Sequence, residues 1–573
     1  MGSTRRAAAA ALLFFSLGAL AQPQPEPGTG WRDKPAARAR HDMVVAANPL
    51  AVDAGLEMLR AGGSAVDAAI AAQLVLGLVE PQSSGIGGGG FMLVWSQRER
   101  RVRAYDGRET APAAARPERF LDALGRPLPF FDAVVSGMSV GVPGLLRMLE
   151  LAHRRHGRLP WARLFEPALR LAEQGFPVSP RLHRLLEHDR YLRADPAARR
   201  LYYDADGHAL AIGARLVNRQ YAATLHEIAA RGADAFYRGP IAGDVVRAVR
   251  AHPRPGDMTR ADLRGYRALE REPLCGSYRG RRVCGMAPPS AGAVTLLELL
   301  GVLERSAFDR APPGSVEAVH LFAEASRLAY ADRARYVADP DFVPVPVAGL
   351  LEPAYLDARA RLIGERSMGR AEPGRPAGAR AAADVAETEV SGTSHMSIVD
   401  ARGSAVAMTT SIENAFGSRI MVRGFLLNNE LTDFSFSPEA LGVPAANRVE
   451  PRKRPRSTMA PTLVFGRDGG LRMLIGSPGG PAIVDYVAKT LVGTLDWGLD
   501  VQAAIALPNF GSTNGPTFIE RGSAYEALGD ALAGRGHVLH VANLTSGLHG
   551  IERGARGWRG GADPRREGVA RGD

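Results

Sequence analysis

A threonine that follows a glycine is the residue best suited to chemistry in this 573-residue sequence. Thr393 opens the segment Thr393-Ser394-His395-Met396-Ser397, whose pattern predicts a buried strand, and Gly392 precedes it. If the chain is cut between Gly392 and Thr393, the threonine gains an α-amine, and such amines have pKa values of about 7.7 to 8.0. A hydroxyl needs a base beside it to act as a nucleophile. After the cut one residue would hold both groups, so we expect the uncut chain to be an inactive zymogen.

The strand that begins at Thr393 is predicted to form one arm of a hairpin. Asp400-Ala401-Arg402-Gly403 fits a three-residue loop with glycine in the left-handed conformation. Pairing outward from this loop places Ser411 opposite Thr393. We therefore expect the Ser411 side chain to lie within reach of the Thr393 hydroxyl.

A second hairpin is predicted around the two cysteines of the chain, Cys275 and Cys284. If Arg279-Gly280 forms a two-residue turn, the cysteines face each other at a non-hydrogen-bonded position, where Cα atoms are close. An exported protein can keep a disulfide at such a position. The spacing therefore predicts a possible disulfide between Cys275 and Cys284.

The elements before Thr393 are predicted from helix caps and glycines. Asn48-Pro49 is typical of a helix start, and that helix should end at Gly62. Ser64 to Asp67 resembles a capping box for a second, almost wholly apolar and therefore buried helix. The glycine run at 85–90 precedes a strand and lacks a following Gly-Lys-Ser/Thr, which argues against a nucleotide-binding loop. These glycines are expected to allow close approach of backbone or ligand.

The remaining sequence divides into a leader, a helical region, a linker and a strand-rich region. Arg5-Arg6, the apolar run 7–20 and Ala19-Leu20-Ala21 predict a cleavable signal at 1–21, with an uncleaved anchor as the alternative. Residues 115–365 are predicted to be mainly helical, and the composition of 366–392 is typical of a flexible linker. Short strands are expected after it, then helices near 483–492 and 501–506. We expect a secreted or periplasmic protein without stable membrane insertion once the signal is removed.

The net charge of +11 does not indicate a nucleic-acid-binding protein. Its arginines are spread along the chain, without a basic stripe interleaved with aromatic residues. We therefore predict no nucleic-acid partner.

Several motifs together resemble the gamma-glutamyltranspeptidase (glutathione hydrolase) family, which belongs to the N-terminal nucleophile hydrolase superfamily. The upstream motifs are Gly62-Gly63-Ser64-Ala65-Val66-Asp67, Gly87-Gly88-Gly89-Gly90-Phe91 and Arg108-Glu109-Thr110-Ala111-Pro112. The downstream motifs are Thr393-Ser394-His395, Asn428-Asn429-Glu430-Leu431-Thr432-Asp433, Lys453-Arg454-Pro455-Arg456-Ser457-Thr458, Gly476-Ser477-Pro478-Gly479-Gly480 and Gly561-Ala562-Asp563-Pro564-Arg565-Arg566. They occur in the family's order over essentially the whole mature chain.

The resemblance implies an α+β fold, a four-layer αββα sandwich built from two subunits that are cut from one precursor. The large subunit would be 22–392 and the small catalytic subunit 393–573, and the two would form a heterodimer. The cut would come from attack of the Thr393 hydroxyl on the Gly392 carbonyl. The partner would be a small-molecule γ-glutamyl substrate, and no cofactor or metal is predicted.

The resemblance also implies roles for individual residues in acyl transfer. The predicted catalytic residues are the nucleophile, a hydroxyl that orients it and two oxyanion-binding glycines: Thr393, Ser411, Gly479 and Gly480. The predicted ligands of the substrate carboxylate are Arg108, Ser457 and Thr458. The predicted ligands of the substrate ammonium are Glu413, Glu430 and Asp433. His395 is interpreted as a structural neighbour of the nucleophile.

The sequence departs from the family pattern at positions that bear on the substrate. Arg456 stands where leucine is usual and Arg419 where glycine is frequent, so both are expected to add positive charge near the site. The stretch 434–452 has no tyrosine or tryptophan to act as a lid, which favours hydrolysis over transfer to amino-acid or peptide acceptors. A same-fold acylase, similar to cephalosporin acylases, and an unprocessed ligand-binding homologue are the alternatives.

Overall fold

The computed structural model describes residues 28–383 and 392–573. The predicted signal at 1–21 and part of the predicted linker, 384–391, lie outside the described residues.

The strands, in chain order, are β1 (Ala37–Ala39), β2 (Met43–Ala46), β3 (Gly89–Ser96), β4 (Arg101–Asp106), β5 (Phe176–Pro177), β6 (Arg215–Leu216), β7 (Leu269–Arg271), β8 (Leu274–Tyr278), β9 (Arg281–Gly285), β10 (Thr393–Val399), β11 (Ala405–Ser411), β12 (Met421–Val422), β13 (Phe425–Leu426), β14 (Glu439–Ala440), β15 (Val443–Pro444), β16 (Thr462–Phe465), β17 (Leu471–Gly476), β18 (Phe510–Gly511), β19 (Thr517–Glu520), β20 (Leu539–Ala542), β21 (His549–Gly554), β22 (Gly557–Ala562) and β23 (Val569–Gly572).

The α-helices are α1 (Pro49–Arg60), α2 (Ala65–Val79), α3 (Phe130–Val134), α4 (Leu145–His156), α5 (Glu166–Gln174), α6 (Pro180–His188), α7 (Pro196–Tyr202), α8 (Arg219–Arg231), α9 (Asp234–Arg238), α10 (Pro240–Ala251), α11 (Arg260–Gly265), α12 (Gly292–Glu304), α13 (Val316–Tyr336), α14 (Val347–Leu350), α15 (Pro353–Ala360), α16 (Ile483–Leu495), α17 (Val501–Ala506) and α18 (Gly529–Gly534).

Two seven-stranded antiparallel sheets organise the molecule. Sheet I has the order β23-β2-β10-β11-β3-β4-β7, and sheet II has the order β1-β22-β21-β17-β16-β9-β8. Each sheet combines strands from before Gly392 with strands from after it. The two parts of the chain are therefore interleaved.

Helix starts follow the caps that the sequence predicts. Asn48 Oδ1 accepts from Leu50 N at the start of α1, and Ser64 and Asp67 form the capping box of α2. All fifteen residues of α2 are buried, as its apolar composition predicts. Met396 and Ile398, on one face of β10, pack in a hydrophobic core with α1 and α2.

The opposite face of β10 looks towards sheet II, because side chains alternate along a strand. Val399 of β10 lies in a core with Leu474 and Ile475 of sheet II and with residues of α12 and α16. Thr393, His395 and Ser397 share this inter-sheet face. The polar side chains of Thr393, His395 and Ser397 therefore lie on the face of β10 that is directed at sheet II.

Both predicted hairpins form with the predicted register. Thr393 pairs with Ser411 in β10–β11, and Gly403 has a φ of 78° in the connecting loop. Cys275 pairs with Cys284 in β8–β9, across a turn in which Gly280 has a φ of 69°. The two sulfurs are 2.06 Å apart and form a disulfide in this structure.

Residues 366–383 carry no helix or strand, yet hydrogen bonds hold them along the surface. Ser367 N donates to Arg535 O at 2.8 Å, and Ala371 N donates to Asn514 Oδ1 at 2.7 Å. Ala383 N donates to Pro444 O at 3.0 Å. In the described part of the chain, no helix combines the length and the apolar character that crossing a membrane requires.

Candidate active site

Thr393 begins a central strand of sheet I and is 5% exposed. Its Oγ1 donates to Ser411 Oγ at 3.3 Å, and Ser411 Oγ donates to the Gly392 carbonyl oxygen at 2.9 Å. Glu413 N donates to the same Ser411 oxygen at 2.8 Å. The Ser411 hydroxyl thus lies between the Thr393 hydroxyl and the carbonyl that precedes Thr393. In this geometry the Ser411 hydroxyl can polarise the Gly392 carbonyl by donating to its oxygen, and it can orient the Thr393 hydroxyl by accepting from it.

Close backbone packing holds the start of β10 in place. A Cβ atom at Gly392 would lie 2.2 Å from Glu413 O, and one at Gly88 would lie 2.1 Å from Ser411 O. Any side chain at either position would displace the backbone that carries Ser411 and Glu413. The glycine run at 85–90 therefore serves close approach of backbone to backbone, as predicted.

His395 links β10 to the last residue of β17. Its Nδ1 is 2.8 Å from Thr409 Oγ1 and its Nε2 is 3.2 Å from Ser397 Oγ, so both ring nitrogens are occupied. A Cβ at Gly476 would lie 2.3 Å from His395 Cε1. Burial, with His549 nearby, lowers the pKa of His395 well below its usual range. His395 is therefore a neutral packing group between the sheets.

The loop that follows Gly476 contains the predicted oxyanion-binding glycines. Gly479 and Gly480 have φ values of 139° and 55°, a backbone form that favours glycine. Among the hydrogen bonds of the described residues, neither glycine N–H has an acceptor. Two adjacent unused N–H groups can bind an anionic oxygen. The contact of His395 with Gly476 brings this loop to the β10 layer.

Arg108 is the centre of a buried charged cluster. Its Nη1 donates to Glu430 and its Nη2 to Asp433, while Nε donates to Pro455 O at 3.1 Å and Nη2 also donates to Arg456 O at 2.7 Å. The side chain is 1% exposed. Burial opposes its charge, but Glu430 and Asp433 raise the pKa of Arg108. The guanidinium is thus fixed in the charged form with its fork directed at two carboxylates.

A third carboxylate, Glu109, lies beside this cluster and is not among the residues that the sequence predicts for the site. It is 0% exposed, and its Oε2 is 4.0 Å from Arg108 Nη1. Burial, and then the nearby Glu430, raise the pKa of Glu109 well above its usual range. Burial also raises the pKa of Glu430. The cluster therefore holds more carboxyl groups than a single guanidinium neutralises.

Two asparagines position the acidic residues. Asn428 Oδ1 accepts from Glu430 N at 3.0 Å, and Asn428 Nδ2 donates to Gly87 O at 2.7 Å. Asn429 Nδ2 donates to the Glu413 carboxylate and to Thr432 Oγ1. A hydrogen-bonded path therefore runs from Thr393 through Ser411 and Glu413 to the turn Glu430–Asp433. Both asparagines belong to the motif Asn428-Asn429-Glu430-Leu431-Thr432-Asp433, so their place next to the predicted acids is visible in the sequence.

The remaining predicted ligands lie on the segment that passes Arg108. Ser457 Oγ accepts from Met459 N at 3.2 Å, and Ser457 N donates to Pro289 O at 3.1 Å. Thr458 Oγ1 accepts from Arg333 Nη2 at 2.5 Å. Arg333 was not among the sequence-derived candidates, because it lies in a helix more than a hundred residues earlier.

The guanidinium groups of Arg456 and Arg419, which are expected to add positive charge near the site, are each bound by groups of the protein. Arg456 Nη1 donates to the carbonyls of Arg333, Ala334 and Val337 at 3.1–3.3 Å, at the C-terminal end of α13. Cations are stabilised at helix C-termini, where carbonyl groups lack partners. Arg419 Nη2 instead forms an ion pair with Asp189 at 2.8 Å. Both guanidinium groups thus serve packing.

A further group of residues has the composition of a metal site, namely His320, Glu324 and His537. Its donor atoms already bond to protein. His320 Nδ1 is 2.8 Å from His537 Nε2, and Glu324 Oε1 accepts from Arg327 Nε at 2.9 Å. We therefore interpret His320, Glu324 and His537 as a structural hydrogen-bond network.

Comparison with known proteins agrees with this geometry. The model of the family described as Gamma-glutamyltranspeptidase matches residues 51–572. The glutathione hydrolase proenzyme of Bacillus subtilis (strain 168) is 36% identical over 543 residues, which cover 92% of this chain and 91% of that protein. The acylase ACY 1 proenzyme of Pseudomonas sp. (strain SE83) is 35% identical over 547 residues, which cover 93% of this chain and 94% of that protein.

A solved structure shares the fold over nearly the whole length. Cephalosporin acylase from Bacillus halodurans superposes with a TM-score of 0.82 at 28% identity, covering 96% of this chain and 99% of that one. The family match over most of the chain and the relative at 36% identity lead to the same assignment. The chain belongs to the gamma-glutamyltranspeptidase family of N-terminal nucleophile hydrolases.

Proposed function

We propose that this protein is an exported, self-processing γ-glutamyl hydrolase and transferase that cleaves γ-glutamyl amides such as glutathione through a Thr393 acyl-enzyme. Its membership of the gamma-glutamyltranspeptidase family supports the reaction class. The proenzyme names of its relatives support processing.

In the proposed processing reaction, the hydrogen bonds of Ser411 to Thr393 and to the Gly392 carbonyl position the reacting groups. The Thr393 hydroxyl attacks the Gly392 carbonyl carbon, and the Ser411 hydroxyl, 2.9 Å from that carbonyl's oxygen, stabilises the developing negative charge. The Gly392–Thr393 amide becomes an ester, and the amide nitrogen gains a proton to become the α-amine. Water then hydrolyses the ester. The products are a large subunit ending at Gly392 and a small subunit beginning at Thr393.

The two subunits would remain together after the cut as a heterodimer in a four-layer αββα sandwich. Sheet I takes β2, β3, β4 and β7 from the large subunit and β10, β11 and β23 from the small one. Separation would expose the hydrogen-bonding edges and the apolar faces of both sheets, which is costly. This interleaving supports a permanent association.

Turnover uses the freed α-amine as the base. The amine accepts the Thr393 hydroxyl proton while the oxygen attacks the γ-carbonyl of the substrate, and the N–H groups of Gly479 and Gly480 hold the oxyanion. The leaving amine takes the proton, and water or an amino-acid or peptide acceptor then receives the acyl group from Thr393. Oxyanion donors of this kind are typically worth about 3 kcal/mol each.

The buried ion pairs of Arg108 with Glu430 and Asp433 are the observation that carries the substrate assignment. A γ-glutamyl group has a carboxylate and an ammonium on one carbon, so it can insert into these pairs. Its carboxylate takes over N–H groups of Arg108, and its ammonium takes over the released acids. A glutaryl group brings only the carboxylate and would leave a buried carboxylate unpaired, which is strongly unfavourable.

A same-fold acylase is the second candidate, because an acylase and a cephalosporin acylase are among the similar proteins. Release of p-nitroaniline from γ-glutamyl and glutaryl anilides separates the two. We expect kcat/KM to favour the γ-glutamyl compound by at least roughly 100-fold. Equal rates or a preference for glutaryl would contradict the proposal. A purified protein that stays as one full-length band on denaturing gels would instead indicate an unprocessed binding homologue.

A further inference from the structure

Arg333 lies on α13 and is hydrogen-bonded to Thr458, one of the predicted ligands of the substrate carboxylate. Its Nη2 donates to Thr458 Oγ1 at 2.5 Å, and the residue is 5% exposed. Its Cζ is 5.6 Å from the centre of the Tyr330 ring. A buried guanidinium that donates to the side chain of a candidate substrate ligand is a second source of positive charge at this site.

The first source, Arg108, is already committed. Its fork donates to two carboxylates, and its Nε and Nη2 also donate to the carbonyls of Pro455 and Arg456. A substrate carboxylate must therefore replace Glu430 or Asp433 as a partner of Arg108. Because the displaced carboxylate stays nearby, this exchange gives the substrate carboxylate little net positive charge. Additional stabilisation of a carboxylate has to come from another group.

The bond from Arg333 determines how the Thr458 hydroxyl can act. A hydroxyl oxygen that accepts an N–H bond keeps its own hydrogen as a donor and directs it away from the first donor. The charge on the guanidinium also polarises the O–H bond, and hydrogen bonds reinforce one another in a buried site. Thr458 is thereby made a stronger donor to an anion.

We propose that Arg333 is a positioning residue for the substrate α-carboxylate, acting through the Thr458 hydroxyl. The inference rests on the proposed γ-glutamyl function and adds a specificity-determining residue to it. Arg333 itself does not touch the substrate. It orients and polarises the donor that does.

The same helix also supports the predicted oxyanion loop. Tyr330, one turn before Arg333, donates its hydroxyl to the carbonyl of Pro481, which follows Gly480. One face of α13 thus contacts both the carboxylate-binding segment and the loop that would bind the oxyanion. Loss of Arg333 should weaken substrate binding, whereas loss of the Tyr330 hydroxyl should affect the chemical step.

The test is a double-substitution cycle on the cut enzyme, with KM and kcat measured on γ-glutamyl p-nitroanilide. We expect R333M to raise KM by roughly 10- to 30-fold with kcat within about threefold of wild type. T458V should have a similar effect, and R333M in the T458V background should add less than about threefold, because both remove one chain of bonds. R333K should recover part of the loss, and T458S most of it.

Arg335 provides the matched control. It lies two residues further along the same helix, and its Nε donates to Ala382 O at 3.0 Å, so R335M should leave KM unchanged. Additive effects of R333M and T458V, or a fall in kcat without a change in KM, would overturn the inference. If R333M does not fold or is not cut, the comparison of R333K with R333K/T458V decides in the same way. Wild-type inactivity on the γ-glutamyl anilide would instead count against the proposed function.

Discussion

The β10–β11 and β8–β9 hairpins have the same local design and opposite surroundings. Both have a tight turn and the register that their turns predict. The first lies in the centre of sheet I with every strand residue buried, and it begins at Thr393. The second ends sheet II at β8, where Cys275 is exposed and a disulfide joins the arms.

The comparison shows that local pairing and functional capacity are separate properties. In the central hairpin, neighbouring strands on both sides fix the hydroxyls of Thr393 and Ser411, and low exposure strengthens their hydrogen bonds. The edge hairpin has a strand on one side only, and a covalent link adds to what that strand contributes. Substitutions in the first should therefore affect chemistry, and those in the second stability.

The largest effect is expected at the start of the central hairpin. T393A removes the attacking oxygen, so the purified protein should remain one uncut chain on denaturing gels, with activity reduced at least roughly 10⁴-fold. T393S is the matched control, since it keeps both the hydroxyl and, after cleavage, the α-amine. Two subunits in the T393A preparation would mean that another protease makes the cut.

A smaller effect is expected at the facing residue. S411A removes the bonds to Thr393 and to the Gly392 carbonyl, so both the rate of chain cutting and kcat should fall by roughly 10- to 100-fold. S411T retains the hydroxyl and should stay within a few-fold of wild type. Time courses of subunit appearance measure the first rate. Normal cutting by S411A would separate this hydroxyl from processing.

In the edge hairpin, replacing both cysteines should reduce stability without changing catalysis. The C275S/C284S variant is expected to lose about 2 kcal/mol, seen as a lower apparent Tm, because the bond limits the unfolded chain. Its kcat/KM should equal that of wild type, since β8 is three strands from β17. Thiol titration of the denatured, unreduced wild type should find no free thiol. Two reactive thiols there would contradict the disulfide.

The smallest effect concerns a histidine that faces the central hairpin from sheet II. Burial, with Lys34 nearby, lowers the pKa of His549 to about 3, and neither ring nitrogen has a hydrogen-bond partner among the described residues. The unfolded chain binds the proton near pH 6.5. Stability is therefore complete above about pH 6.5 and is lost as the pH falls towards about 3.

H549Q removes this titration. Between pH 7.5 and pH 5.5 the variant should lose about 1.4 kcal/mol less stability than wild type, measured as a smaller decrease in apparent Tm. At pH 7.5 both proteins carry a neutral side chain at this position. An identical pH dependence in the two proteins would show that His549 is protonated in the folded state as readily as in the unfolded one.

Much of the fold followed from short stretches of sequence. The caps at Asn48 and Ser64, the turn residues Gly280 and Gly403, and the apolar length of α2 gave elements that the structure contains. These features depend on neighbours within a few residues, so local physical chemistry determines them. The family, and hence the grouping of Thr393 with distant motifs, came from resemblance.

Contacts between distant segments could not be predicted in the same way. The sequence suggested that Arg456 and Arg419 add positive charge near the site, but it did not reveal their partners, which are the carbonyls at the end of α13 and the carboxylate of Asp189. A long charged side chain can reach several partners, and the geometry of packed elements selects one. The partners of Arg108 were unforeseen for the same reason.

The sequence by itself predicted Thr393 as the nucleophile and the Gly392–Thr393 bond as the cut, and it determined that Ser411 faces Thr393. These depend on strand register and on the pKa of an α-amine, which are local properties. Only the tertiary structure decided how the charges are distributed: Arg108 on two carboxylates, Glu109 buried beside them and Arg333 on Thr458. Burial makes these charges depend on their immediate partners, and folding alone brings those partners together.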